Sequence, residues 1–256
     1  MAIKNFKGKR IFLTRSDNSK LAEVLKARGA EVVEMPLIKV EYRFDADDMA
    51  DILEEVGHYD WITFSSVHGV KGFFNEFFKV FKDIRNIGIS RIACVGETTA
   101  NEVRKYYLNP DVVPSVYDAK TMIKEMSEFE SLDNLRILCV SGNLSNNPAF
   151  DDLEKKYGAI VDKIVVYHTS LIEVKDDFVS AKSFREKGAD AIVFCSPSAV
   201  EAFAKSAKSL QLSSKAVHPK IVAIGETTAE SIKKFGMKPA VVAELTDIES
   251  ALEKVL

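Results

Sequence analysis

The stretch Arg91-Ile-Ala-Cys-Val-Gly-Glu-Thr-Thr-Ala100 occurs a second time in this chain, as Lys220-Ile-Val-Ala-Ile-Gly-Glu-Thr-Thr-Ala229. A second pair supports the first, because Asp60-Trp-Ile-Thr-Phe-Ser-Ser66 matches Asp190-Ala-Ile-Val-Phe-Cys-Ser196. The two offsets are 129 and 130 residues in a chain of 256. This period is far longer than that of solenoid repeats, so the pattern indicates duplication of a unit the size of a domain.

Each copy alternates short apolar segments with amphipathic helical patterns. Ala191-Ile-Val-Phe194 and Ile221-Val-Ala-Ile224 are continuously apolar, as expected for parallel strands that are covered on both faces. The alternation predicts an α/β protein of two similar flavodoxin-like lobes, each a parallel five-stranded sheet flanked by helices. The predicted strands are 10–14, 31–34, 60–64, 91–95, 111–113, 135–140, 160–166, 190–194, 220–224 and 239–242.

Two longer extended segments follow the second predicted strand of each copy, near residues 36–43 and 163–172. Because they occupy matching positions in the repeat, we expect them to be paired connectors between two domains. Between them lies an aromatic stripe of helical spacing, which predicts a buried core rather than a cofactor site. The stripe consists of Val70, Phe73, Phe74, Phe77, Phe78 and Phe81.

The composition excludes several classes of protein. Hydrophobic residues make up 46% of the chain and charged residues 29%, a balance that excludes disordered and low-complexity proteins. The net charge of −3 leaves no basic surplus for nucleic acid, and no apolar run has the length of a membrane span. Residues 1–5 lack the apolar centre of a signal peptide, and the three cysteines lie in apolar runs. We therefore expect a cytoplasmic protein with reduced, buried thiols.

The carboxyl ends of the predicted strands carry mainly Gly, Ser and Thr. Ligands bind at this edge of open parallel sheets, and each of these loops leads into a helix whose amino end attracts carboxylates or phosphates. Plain helix capping is the alternative explanation for each single loop. Because the repeat doubles the loops, we expect a broad polyanion site between two facing domains. Its candidate residues are Arg15, Ser65, Ser66, Gly96, Thr98, Thr99, Ser196, Ser198, Gly225, Thr227 and Thr228.

Common catalytic motifs are missing from the sequence. It contains no G-x-G-x-x-G, no P-loop motif and no G-x-S-x-G. Its four histidines show no metal-ligand spacing, either among themselves or with the cysteines. We therefore expect neither dinucleotide nor P-loop chemistry and no metal site, and a protein that acts by binding and shaping its ligand.

A further signal comes from the order and spacing of seven short segments. They are Ile11-Phe-Leu-Thr-Arg15, Pro36-Leu-Ile38, Asp60-Trp-Ile-Thr-Phe-Ser-Ser66 with Val70, Ala93-Cys-Val-Gly96-x-Thr-Thr-Ala100, Val166-Tyr167, Phe194-Cys-Ser-Pro-Ser198 and Ala223-Ile-Gly225-x-Thr-Thr-Ala229. In this order they resemble the uroporphyrinogen-III synthase family over nearly the whole chain. Two positions depart from the family pattern. Ser16 replaces a proline, and residues 141–147 lack a Gly- and Arg-rich turn, which puts a cationic contact from that loop in question.

The resemblance implies that both halves of the chain contribute to each domain. Domain one would comprise residues 1–37 and 171–256, and domain two residues 38–170, linked by the two connectors. The implied reaction is the cyclisation of the linear tetrapyrrole hydroxymethylbilane to uroporphyrinogen III, with loss of water and inversion of the last ring. The family needs no cofactor or metal for this reaction.

For the site, the resemblance implies that Tyr167 lies near the substrate and bonds, or donates a proton to, the departing hydroxyl. The alternative is a packing role in which backbone satisfies the phenol. Backbone amides and hydroxyls would hold most of the eight substrate carboxylates, and Arg15 is the best candidate cation. The resemblance further implies a monomer with transient contact with the preceding pathway enzyme, and no nucleic-acid or membrane partner.

Two other functions remain open on the residues alone. One is a two-domain receptor of the periplasmic-binding type, which clamps an anion without chemistry. The missing signal peptide and the cysteine usage argue against this receptor. The other is a non-catalytic tetrapyrrole-binding protein, which the altered loop at 141–147 keeps open.

Overall fold

The computed structural model describes residues 5–145, 147–243 and 248–256. The chain divides into two compact units. Unit 1 contains Met1–Lys39 and Ser170–Leu256, and unit 2 contains Val40–Thr169. The structure therefore brings two distant parts of the chain together in unit 1, whereas unit 2 is continuous.

The described ranges contain ten strands in two sheets of five, as the alternating pattern predicted. In chain order they are β1 Arg10–Leu13, β2 Glu31–Glu34, β3 Ile38–Glu41, β4 Trp61–Phe64, β5 Arg91–Cys94, β6 Arg136–Gly142, β7 Ile160–Leu171, β8 Ala191–Phe194, β9 Lys220–Ile224 and β10 Val241–Ala243.

Ten α-helices follow the strands in these ranges, together with short 3-10 helices at Val56–His58 and Ile84–Ile87. They are α1 Ser19–Ala27, α2 Ala46–Glu54, α3 Val67–Val80, α4 Glu97–Arg104, α5 Ala119–Phe129, α6 Ala149–Lys155, α7 Val179–Lys187, α8 Pro197–Lys205, α9 Glu226–Lys234 and α10 Ile248–Val255. The regular alternation of strand and helix makes both units α/β.

The strand order shows the topological switch point of each sheet, where the order of the strands along the chain reverses. Unit 1 has the order β10-β9-β8-β1-β2, and the second sheet has the order β3-β7-β6-β4-β5. The registered pairs of neighbouring strands are parallel. Chain order reverses between β1 and β8 in the first sheet and between β4 and β6 in the second. These are the points at which open parallel sheets bind ligands.

The fifth strand of the second sheet differs from the sequence prediction. Residues 111–113, predicted as a strand, contribute only an isolated bridge between Val112 and Ala93. The strand β3 takes the fifth place instead, and it lies in the segment predicted as the first connector. The predicted strand 160–166 likewise continues to Leu171 as β7, through most of the second predicted connector. Apolar pattern alone did not reveal that these two segments are neighbours in one sheet.

Each sheet is covered by apolar side chains on both faces, and each unit has two core clusters. The aromatic stripe of α3 confirms the core prediction at Val70, Phe73, Phe74 and Phe77, which are fully buried. Phe81 is partly buried and packs against this core, whereas Phe78 is 41% exposed and stacks against Tyr106. Burial on both faces explains why the central strands are continuously apolar.

Candidate functional site

In unit 2, the carboxyl ends of β4 and β6 form the centre of the candidate site. Ser65 and Ser66 follow β4 directly, and Gly142 is the last residue of β6. On its other side β6 pairs with β7, which carries Tyr167. The loop after β4 and the strand β7 therefore meet beside the carboxyl end of β6, where the strand order reverses.

Ser66 and Tyr167 are joined by a hydrogen bond. Ser66 caps α3, because its Oγ accepts a hydrogen bond from the backbone N–H of Gly69 at 3.0 Å. The same hydroxyl donates its proton to Oη of Tyr167 at 2.9 Å. Since Oη accepts in this bond, the phenolic proton of Tyr167 can be donated to another group.

A bulge in β7 directs Tyr167 towards Ser66. Ser141 pairs with Val165, but the next residue, Gly142, pairs with Tyr167, so Val166 is an extra residue in β7. Bulges of this kind redirect side chains and are common beside functional sites. The Val166 side chain is fully buried in the core of unit 2, which holds the bulge in place.

Burial controls the protonation of the phenol. The ring of Tyr167 is partly buried, and this burial raises its pKa above the ordinary tyrosine value, while the hydrogen bond from Ser66 opposes the shift. A tyrosine with a raised pKa is protonated at neutral pH. Tyr167 can therefore act as a proton donor or as a neutral hydrogen-bond donor, but not as a base, at that pH.

Two aromatic residues that sequence analysis did not single out extend this cluster. The ring of His68 lies 5.5 Å from the ring of Tyr167, centroid to centroid. Oη of Tyr42 is 3.3 Å from Nδ1 of His68, and the two rings are 6.2 Å apart. His68 is half-buried and Tyr42 is 44% exposed. The position of His68, two residues after the Ser66 cap, is the one signal in the sequence that could have indicated it.

The Gly96 loop of unit 2 presents one of its two predicted threonines. Thr98 is half-buried, whereas Thr99 is buried on the inner side of α4. Gly96 has an extended backbone, with φ −168°, and the ring of Tyr117 lies against it. Tyr117 is 51% exposed and did not appear among the predicted residues.

The matching loop of unit 1 has the same sequence but a different backbone. Gly225 has φ +79°, a left-handed conformation that glycine adopts without strain. Thr227 is exposed, and Thr228 is buried with 1% of its surface accessible. The described side chains therefore leave Thr98 and Thr227 as the accessible hydroxyls of this motif, and both lie in the first turn of a helix.

Ser196 and Ser198 form a second hydroxyl pair in unit 1. Ser196 caps α8 by accepting a hydrogen bond from the N–H of Ala199 at 3.2 Å, and its Oγ lies 3.1 Å from that of Ser198. In unit 2 Ser66 corresponds to Ser196, and its neighbour Ser65 donates a long bond of 3.4 Å to the carbonyl of Val140. The capping explanation therefore holds for Ser66 and Ser196, although capping leaves room for a further partner.

Arg15 lies at the carboxyl end of β1, beside the switch point of unit 1. Its side chain is half-buried, and among the described carboxylates none forms an ion pair with it. The thiol of the neighbouring Cys195 has a pKa raised to about 11 by burial, and the positive charge of Arg15 opposes that rise. A partly buried guanidinium that forms no ion pair with a carboxylate of the described ranges is suited to binding an anionic ligand.

The loop at 141–147 has a structural role at Asn143. Its side-chain amide donates to the carbonyl of Thr169 at 3.2 Å and accepts from the N–H of Thr169 at 2.7 Å. This pairing continues the contact between β6 and β7 beyond Gly142. Asn146 lies outside the described residues. The described loop residues 141–145 and 147 carry no cation, which agrees with the departure seen in the sequence.

The described residues offer no metal centre and no membrane span. No group of three or more His, Cys, Asp or Glu side chains within 5–145, 147–243 and 248–256 could hold a metal ion. None of the helices in these ranges is long and apolar enough to cross a membrane.

Comparison with known proteins gives the same family by two routes. The model of the family described as uroporphyrinogen-III synthase HemD matches residues 19–253. Among curated relatives, the porphyrin biosynthesis protein HemD of Ruminiclostridium josui is 29% identical over 97% of this chain. This chain spans about half of that protein, 48% of its length. A putative uroporphyrinogen-III synthase of Methanocaldococcus jannaschii is 28% identical over 91% of both chains.

Solved structures share the fold at lower sequence identity. A mutant uroporphyrinogen III synthase of Thermus thermophilus has a TM-score of 0.66 at 16% identity, covering 96% of this chain and 97% of the other. The uroporphyrinogen-III synthetase of Helicobacter pylori has a TM-score of 0.60 at 15% identity, with the same coverage. At these identities the likeness shows a common fold.

Proposed function

The chain belongs to the uroporphyrinogen-III synthase family, and from this premise we propose that it cyclises hydroxymethylbilane to uroporphyrinogen III with loss of water. Hydroxymethylbilane is a flexible linear tetrapyrrole that closes spontaneously to the type I isomer. The type III isomer requires attack by the substituted carbon of the terminal ring, through a spiro intermediate. The protein therefore has to select one conformer of the bound chain, which is a problem of orientation.

We propose that Tyr167 assists the departure of the substrate hydroxyl. The observation that carries this assignment is the direction of its hydrogen bond, because Ser66 donates to Oη and leaves the phenolic proton free. Burial favours the neutral phenol, so the proton is present at neutral pH. Loss of the hydroxyl as water leaves an electrophilic azafulvene, which the terminal ring then attacks.

The substrate carboxylates are bound by the strand-end loops of each unit. In unit 1 the residues that bind carboxylates are Arg15, Ser196, Ser198, Gly225 and Thr227. In unit 2 they are Ser65, Gly96 and Thr98. Free backbone N–H groups and hydroxyls at the amino ends of helices bind anions. Thr99 and Thr228 support these loops from inside, because their side chains are buried. The net charge of −3 gives no general attraction for such an anion, so binding depends on local groups.

We also infer that the two units act as similar flavodoxin-like lobes of a monomer. Lobe one would be residues 1–37 with 171–256 and lobe two 38–170, with connectors near 36–43 and 163–172. The strand order β2-β1-β8-β9-β10 supports this for unit 1, because it is the order typical of flavodoxin-like sheets. In unit 2, β7-β6-β4-β5 follows the same order, and the bridge at Val112 occupies the position of the fifth strand.

The proposed activity is tested with purified protein and freshly made hydroxymethylbilane. The products are oxidised to porphyrins and the type I and type III isomers are separated and quantified. We expect type III to exceed the spontaneous type I product in proportion to enzyme concentration. Formation of type I alone, with retained binding of the tetrapyrrole, would instead identify a non-catalytic tetrapyrrole-binding protein.

A further inference from the structure

The rings of Tyr42, His68 and Tyr167 form a series in unit 2, in which Tyr167 packs against the core and the other two lie outside it. The fully buried aromatic residues of this unit, such as Phe73 and Phe74, lie in a closed cluster. Tyr42 is 44% exposed and contacts the ring of His68, whereas His68 is half-buried and contacts the rings of both Tyr42 and Tyr167. Both residues keep part of their surface accessible. Accessible aromatic surface beside a polar site is typical of ligand recognition.

Three different elements bring the rings together. His68 lies in the first turn of α3, Tyr42 follows the end of β3, and Tyr167 is carried by β7. The contact of Tyr42 Oη with Nδ1 of His68, at 3.3 Å, holds the first two rings in a fixed relation. In the repeat, Ser198 of unit 1 occupies the position that corresponds to His68. The ring series is therefore a feature of unit 2 and not of the duplicated unit.

We propose that Tyr42 and His68 form a stacking surface for the pyrrole ring that carries the departing hydroxyl. This inference rests on the proposed function, because it takes Tyr167 as the group that contacts that hydroxyl. A hydroxymethyl group is one carbon away from its pyrrole, so a pyrrole whose hydroxyl reaches Oη of Tyr167 lies within one ring's width of the phenol. The His68 ring packs 5.5 Å from the phenol ring, so a pyrrole beside the phenol also lies close to the His68 ring.

The stacking surface orients the pyrrole plane and so restricts which carbon of the terminal ring can attack. Pyrroles are flat and carry a π face, so they stack on aromatic side chains without needing a directed hydrogen bond. Tyr42 and His68 are positioning residues in this account, and Tyr167 remains the group that contacts the reacting atoms. Hydroxyls and backbone amides of the protein bind the carboxylates at the ends of flexible substrate side chains, which leaves the plane of the pyrrole free to turn. The stacking surface fixes that plane.

The experiment compares variants that keep or delete the ring. We expect His68→Ala and Tyr42→Ala each to raise KM for hydroxymethylbilane roughly tenfold, with kcat less affected, as for loss of one stacked ring. His68→Phe keeps a ring of similar size and should restore KM to within about twofold. In single turnover with enzyme in excess, His68→Ala should release a larger share of type I product, whereas His68→Phe should remain specific for type III.

The control is His58→Ala, which removes an exposed imidazole at the opposite end of β4 and should leave KM and isomer ratio unchanged. Thermal unfolding checks that each variant is folded, and the exposed Tyr42 gives a second variant if His68→Ala does not fold. Unchanged KM and isomer ratio in a folded ring-deletion variant would overturn the stacking surface, as would equal losses in His68→Ala and His68→Phe. A wild-type protein that forms no type III product would instead overturn the proposed function. The affinity for uroporphyrinogen III, measured by calorimetry, then decides the stacking surface separately.

Discussion

The ring of Tyr167 occupies the space that any side chain on Gly142 would need: a Cβ at residue 142 would lie 2.3 Å from Cζ of Tyr167 and 2.7 Å from its Oη. The two residues are paired across β6 and β7 by the register shift at Val166. The position of the phenol thus depends on the absence of a side chain on the neighbouring strand, as well as on its bond to Ser66.

We expect Gly142→Ala to displace the phenol and to lower both activity and stability. Overpacking of this kind costs about 1–3 kcal/mol in folding free energy. The loss of kcat should resemble that of Tyr167→Phe, because the displaced Oη no longer meets Ser66. Urea unfolding and steady-state kinetics measure the two effects. Gly57→Ala is the matched control, since its Cβ would approach only the carbonyl of Asn86 at 3.5 Å. Full activity in Gly142→Ala would contradict the proposed role of the phenol.

Tyr167→Phe keeps the ring and deletes the hydroxyl. If the phenol donates a proton, kcat should fall by about 10²-fold, the low end for general acid catalysis. If it only orients the substrate, the loss should be nearer the ~1 kcal/mol of a neutral hydrogen bond, which is about fivefold. In both cases the product should remain type III, because the fold selects the conformer. A folded variant with the wild-type rate would reduce Tyr167 to a packing residue.

Ser66→Ala should affect catalysis through Tyr167 as well as stability through the helix cap. Loss of the cap costs about 1 kcal/mol. Asp118→Ala is the control for the loss of a helix cap. Asp118 caps α5 by accepting a hydrogen bond from the N–H of Thr121, and it lies outside the site. We expect the activation free energies of Ser66→Ala and Tyr167→Phe to be non-additive in the double variant, by about 1 kcal/mol. Additive effects would show that the Ser66–Tyr167 bond has no part in the reaction.

The paired threonines of the repeated motif should behave differently from each other. Thr227→Ala removes an exposed hydroxyl and should weaken binding of uroporphyrinogen III with little change in stability. Thr228→Ala removes a side chain that is 1% exposed, so it should lower the unfolding midpoint. Calorimetric titration and urea unfolding of both variants separate these effects. Undiminished affinity in a folded variant that lacks both Thr98 and Thr227 would exclude a role in carboxylate binding.

Stability should decrease in alkaline solution because of the buried thiols. Burial raises the pKa of Cys94 to about 12 and that of Cys139 to about 11. The ordinary thiol pKa is near 8.5, so above that pH the unfolded chain loses protons that the folded chain keeps. The free energy of unfolding then falls as pH rises between the two values, by up to about 1.4 kcal/mol per pH unit for each thiol.

Urea unfolding at pH 8 and pH 10 measures this dependence. The burial of Tyr59, whose hydroxyl donates to Asp162 at 2.8 Å, raises its pKa and acts in the same direction. Cys94→Ala should therefore reduce the difference between the two pH values without abolishing it. An unfolding midpoint that is the same at both pH values would show that the thiols are accessible in the folded protein.

The sequence predicted the central strands well because their signal is local. Segments such as Ala191–Phe194 are apolar without interruption, which only burial on both faces explains. The place of β3 in the second sheet was not predictable in this way, because an edge strand is defined by its partner and not by its own pattern. The strand prediction at 111–113 was wrong for the same reason, since within the described ranges this segment forms one isolated bridge, between Val112 and Ala93.

The candidate site shows the same division between local and distant information. Ser66 and Ser196 were identifiable because caps stand at fixed distances before helices. The choice between Thr98 and Thr99 depends on how α4 rotates against its sheet, which the spacing of a four-residue motif does not define. The contact between Tyr42 and His68 joins residues from separate elements, so no local sequence pattern predicts it. The family resemblance supplied Tyr167, and the structure adds the bulge and the glycine that position it.

The discontinuity of unit 1 has a consequence for biosynthesis on the ribosome. The central strand β1 pairs with β8, and Arg10 bonds to Asp190 across a separation of 180 residues. At roughly 5–20 residues per second, translation needs about 9–36 s to produce that partner. Unit 2 is complete in the emerging chain before then. The strands β1 and β2 are therefore made long before their sheet partners β8, β9 and β10, and slowed translation would prolong the time that they spend without them.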